Sequence, residues 1–76
     1  MSEKETQKTL FNPIVVGSLI RERRVSKRLT QASLSKLVGI NSQYLSDIER
    51  GKHLPSNQLM KSIFDELQIK ITVTAK

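Results

Sequence analysis

Between Gln31 and Ile48 the apolar residues stand at fixed places. Counted from Gln31 they are the fourth, eighth, tenth, fifteenth and eighteenth: Leu34, Val38, Ile40, Leu45 and Ile48. Gly39 takes the ninth place and the small Ser35 the fifth. A glycine at that point permits the left-handed backbone that ends one helix and turns the chain into the next. A small side chain at the fifth place lets the two helices cross closely. The spacing therefore predicts two short helices joined by a tight turn and packed against each other.

The flanking sequence supplies what such a pair packs on. Asn12-Pro13 joins a good N-cap to the residue best suited to the first helical position. A first helix is expected from there to about Lys27, with Val16, Leu19 and Ile20 on one face. Gly17 weakens it slightly and points to close packing. Thr30 caps a second helix, Gln31 to Val38, in which Leu34, Leu37 and Val38 form one apolar stripe. Asn41 or Ser42 starts a third helix through about Arg50, with Leu45 and Ile48 inward and Gly51 as its stop. Pro55-Ser56 opens a fourth, whose Leu59, Met60, Ile63, Phe64 and Leu67 make a broad stripe. Met60 and Phe64 are expected in the core.

The period then changes. Ile69, Ile71 and Val73 alternate with Lys70, Thr72 and Thr74, a repeat of two rich in β-branched residues. The sequence offers this strand no partner, so its expected partner is its own copy in a second subunit, forming an antiparallel ribbon. The fold class expected is all-α: a bundle of four or five helices with one C-terminal β-strand pairing across a dimer. Residues 1–11, polar and aperiodic, read as a flexible arm, 12–67 as the folded domain and 68–76 as the dimerising strand.

Charge narrows the function. The 76 residues carry a formal net charge of +6, and residues 13–56 hold five of those six charges. Arg21, Arg23, Arg24, Lys27 and Arg28 crowd into eight positions, a concentration suited to a polyanion. There is no cysteine and one histidine, so neither a disulfide framework nor a metal cluster is expected. No nucleophile–base pair or glycine-rich phosphate loop is present, so the chain reads as a non-enzyme without cofactor. No apolar run approaches a membrane span and no signal-peptide core is visible, which makes the cytoplasm the default compartment and excludes a membrane partner.

In Leu29-Thr30-Gln31, Val38-Gly39-Ile40 and Leu45-Ser46-Asp47-Ile48-Glu49-Arg50-Gly51-Lys52, the segment resembles the helix-turn-helix of the lambda repressor and Cro (Xre-type) family. The likeness covers about residues 14–67. It implies a third helix that enters the DNA major groove by its N-terminal residues. Ser42, Gln43 and Asp47 match the family's base-reading places, with Tyr44 and Ser46 beside them. Gln43 is the best reader, since its amide donates and accepts together, as adenine requires. Asp47 can accept from a cytosine amino group or instead orient a neighbour. Gln31, at the start of the second helix, should face a phosphate, as should Ser46, Arg50 and Lys52. Arg24 and Glu49 match the family's buried ion pair, a structural feature. The likeness assigns no role to Arg21, Arg23, Lys27 or Arg28, and Arg23 stands where the family usually has an apolar residue.

For His53, in a basic loop, solvent exposure is favoured over a phosphate contact, and Tyr44 either meets the sugar-phosphate surface or packs beside its own helix. Lys4 and Lys8 resemble a minor-groove arm, but Glu3 and Glu5 oppose that use. The implied function is a sequence-specific double-stranded DNA-binding repressor, a homodimer on an inverted-repeat operator. Because the terminal segment Leu67 to Lys76 is similar to antitoxins of the HipA–HipB type, the favoured role is antitoxin and autorepressor, held to a kinase-like toxin partner. The alternative is a free-standing, phage-like repressor without a toxin.

Overall fold

The computed structural model of the chain describes residues 12–69. Four helices follow in order: α1 (Pro13–Ser26), α2 (Gln31–Val38), α3 (Ser42–Glu49) and α4 (Asn57–Leu67). Among the described residues there is no strand. Each helix begins on a polar side chain that accepts from amides the helix itself cannot satisfy. Asn12 Oδ1 takes the Ile14 amide at 2.9 Å and Thr30 Oγ1 the Ser33 amide at 3.0 Å. Asn41 Oδ1 takes the Tyr44 amide at 2.7 Å and Ser56 Oγ the Leu59 amide at 3.2 Å.

The helices also end alike. A left-handed residue follows each one, namely Arg28, Gly39, Gly51 and Gln68. The next amide then reaches back five residues, as Leu29 does to Arg24 O, Ile40 to Ser35 O, Lys52 to Asp47 O and Ile69 to Phe64 O. This closure satisfies carbonyls that the last turn leaves free. Only Gly39 and Gly51 do so without steric cost.

α1 and α2 each pack on both α3 and α4. Val16, Ile20, Leu34, Leu45, Ile48, Met60, Ile63, Phe64 and Leu67 are buried between them, so Met60 and Phe64 lie in the core. Gly17 lets α1 lie directly on the end of α3: a Cβ there would clash with Ile48 O and stand 2.7 Å from Glu49 O. Ser35 is buried as well, and its hydroxyl donates to Gln31 O at 2.6 Å, one turn back.

Leu37 departs from its expected place in the stripe and is 56% exposed. The buried face of α2 runs through Leu34, Ser35 and Val38. At 3.6 residues per turn, Leu37 lies about 100° away from its centre. The expected C-terminal strand falls mostly outside the described residues, Ile71 and Val73 included. Ile69 is described, and it is half-buried on the core, closing α4. The arm expected at 1–11 also lies outside them.

Candidate nucleic-acid interface

α3 is divided lengthwise. Leu45 and Ile48 are wholly buried, while Ser42 and Gln43 on its first turn are exposed. The Asn41 cap fixes where that turn starts, and the two buried anchors fix how it is rotated. Together they aim Ser42 and Gln43 outward with no contribution from a loop. Ser46 and Asp47 lie half-buried farther along.

Asp47 is engaged by its neighbours along this edge. Its Oδ1 accepts from Gln43 Nε2 at 3.2 Å and from Arg50 Nη2 at 3.4 Å. The carboxylate thereby steers the Gln43 amide and tethers the first residue after α3. Gln43 keeps its carbonyl oxygen and one amide hydrogen for another partner. Tyr44 is half-buried against the core, its ring 6.2 Å from the ring of His53 at a 52° tilt. His53 is exposed, as are Arg50 and Lys52.

Behind α3 lies a charged network. Arg24 Nε donates to Glu49 Oε2 at 2.7 Å, Arg24 Nη2 to Glu49 Oε1 at 3.0 Å, and Gln31 Nε2 to the same Oε1 at 3.1 Å. Arg24 Nη1 donates to Leu29 O at 2.7 Å. The Glu49 side chain is 2% exposed and that of Arg24 11%. Among the described residues no buried side-chain nitrogen or oxygen lacks a partner. The network ties α1, the start of α2 and the end of α3 into one unit. It also sets the distance between the N-terminus of α2 and the outward edge of α3.

The structure thus brings Gln43, Asp47 and Arg50 together, and separately Arg24, Gln31 and Glu49. Ser42 and Lys52 make no side-chain hydrogen bond among the described residues. The Gln31 side chain turns inward to Glu49, which leaves its backbone amide at the open end of α2. Arg21, to which the sequence attaches no role, lines a pocket with Gln31, Ser46, Glu49 and Arg50. Its position one turn before Arg24 was the available signal, since residues three apart share a helix face.

A sequence model described as helix-turn-helix matches residues 20–73. The chain is 36% identical over 58 residues to the ImmF control region 10 kDa protein of Bacillus phage phi105, covering 76% of this chain and 64% of that protein. It is 37% identical over 59 residues to the transcriptional regulator ClgR of Mycobacterium tuberculosis, covering 78% and 53%. To the immunity repressor protein of phage phi105 it is 30% identical over 59 residues, covering 78% and 41%. The match thus spans less than two thirds of the length of each of these relatives. Among the described residues no helix is long and apolar enough to cross a membrane.

Proposed function

This chain belongs to the lambda-repressor (Xre-type) helix-turn-helix family, and we propose that it is a sequence-specific DNA-binding transcriptional regulator that acts as a repressor. The observation that carries this reading is the divided third helix, with Ser42 and Gln43 exposed opposite the fully buried Leu45 and Ile48. A helix so mounted fits the major groove of B-DNA, about 12 Å wide, and does not fit the narrow major groove of RNA. The basic 13–56 segment supplies sequence-independent attraction to phosphates. Ser42 and Gln43 read bases, with Asp47 setting the Gln43 amide and Tyr44 bordering the contact. The α2 amides at Gln31, with Ser46, Arg50 and Lys52, hold the backbone and so fix the register.

Two copies related by a twofold axis would place their third helices one helical turn apart, about 34–36 Å, on an inverted repeat. The alternating segment from Ile69 to Val73 supports pairing through the C-terminal ends. A promoter-spanning complex of that size represses by occlusion. Of the two biological roles, the free-standing regulator gains support from relatives named as phage control and immunity proteins. The antitoxin role rests on the terminal sequence alone. A kinase-like protein that co-purifies with the chain from its own host would establish it, and purification without one would leave the free-standing role.

Selection from a pool of randomised duplexes tests the main reading. Enrichment of an inverted repeat is the expected result. A pool that stays random after several rounds contradicts it.

A further inference from the structure

The basic cluster of α1 contains one residue whose position the ion-pair network makes useful. Arg21 lines an open pocket of about 460 Å³ whose other walls are Gln31, Ser46, Glu49 and Arg50. Three elements converge there: the middle of α1, the first residue of α2 and the end of α3. The acid in this pocket, Glu49, accepts bonds on both oxygens from Arg24 and Gln31, and its side chain is 2% exposed. Its charge is matched by Arg24, behind the pocket. The cationic walls are Arg21, from α1, and Arg50, the first residue after α3, and Ser46 adds a hydroxyl. Arg50 pairs with Asp47 at 3.4 Å, a contact that uses one of its five donors. Arg21 is exposed and makes no side-chain hydrogen bond among the described residues.

We infer that Arg21 and Arg50 together form a seat for one backbone phosphodiester of duplex DNA, beside the start of α2. This rests on the DNA-binding reading and extends it to a residue outside the helix-turn-helix pair. Guanidinium groups present forked donors that match phosphate oxygens, and two of them from separate parts of the chain fix position as well as charge. Arg21 adds affinity and register, with no base preference of its own. Arg23 is the natural control. It too is exposed but lies about 200° around the same helix from Arg21, away from the pocket.

The test is fluorescence-anisotropy titration of labelled duplex DNA, selected and random in sequence, by the full chain and by R21A, R21K and R23A at several salt concentrations. R21A should weaken binding to both duplexes alike and lower the slope of log affinity against log salt by about 0.9. Raising salt from about 50 to about 200 mM then costs R21A about 3.5-fold less affinity than it costs wild type. R21K should keep the wild-type slope, and R23A should match wild type throughout. All variants should unfold at the wild-type temperature, since Arg21 and Arg23 are both exposed. An unchanged slope in R21A, with wild type binding normally, overturns the seat and leaves the DNA-binding reading intact. An equal fall in R23A overturns it too, by showing an effect of bulk charge. Absence of any wild-type complex removes both readings.

Discussion

Glu49 accepts from Arg24 on α1 and Gln31 on α2 while sitting at the end of α3, so one carboxylate sets the relative position of three helices. With 2% exposure it has exchanged its water for these bonds. Taking one member away leaves the other charge buried without compensation, at a cost of about 3–5 kcal/mol. A domain of this length has a total stability of about 4–11 kcal/mol, so Glu49→Gln should remove a large share of it. The urea midpoint followed by circular dichroism measures this, and a loss under about 1 kcal/mol would show that the pair is effectively solvated. The double variant Arg24→Met/Glu49→Leu should regain most of the loss, because no charge is then left buried. The pairing of Arg24 with Glu49 is implied by family likeness, whereas the third member, Gln31, is not legible in the sequence. Its amide points inward only because α2 begins beside Glu49, and that depends on how two helices pack.

The four helices are legible for a local reason. Asn12, Thr30, Asn41 and Ser56 are capping residues placed directly before apolar stripes, and a cap acts within three residues of itself. Helix ends are legible at Gly39 and Gly51 and silent at Arg28 and Gln68. There the same left-handed turn is held by backbone bonds and by Lys27 Nζ donating to Gln68 Oε1 at 2.8 Å. An arginine in that conformation is strained by about 1–2 kcal/mol. Arg28→Gly should therefore raise stability by about 1 kcal/mol, seen as a melting temperature higher by about 4–8 °C. A lower melting temperature would mean that the Arg28 side chain stabilises the turn. Gly17→Ala acts in the opposite sense. Its methyl would meet the Ile48 and Glu49 carbonyls, backbone atoms that cannot rotate away. A loss of about 1–3 kcal/mol or more is expected in the same melting experiment, and an unchanged stability would show that α1 and α3 can move apart freely. Leu37 marks the limit of reading periodicity in an eight-residue helix, where a shift of one position turns a stripe residue outward.

At the scale of the whole molecule, the described fold buries nine apolar side chains and presents one outward helical edge flanked by basic residues. A single copy of that edge touches only half of a symmetric site, so pairing decides how long a sequence is read. The alternating residues at the C-terminus are proposed to make the pair. Deleting residues 70–76, which spares the Ile69 closure of α4, should give a folded monomer in sedimentation velocity. A truncated chain that still sediments as a dimer would assign pairing to another surface. What the proposal rests on most is the role of α3 as reader. The most direct measurement is an anisotropy titration comparing Gln43→Ala with wild type on a selected duplex and on a shuffled one. A reading role predicts a loss of about 1–3 kcal/mol on the selected duplex and almost none on the shuffled one. Equal weakening on both duplexes, or no weakening on either, would contradict it.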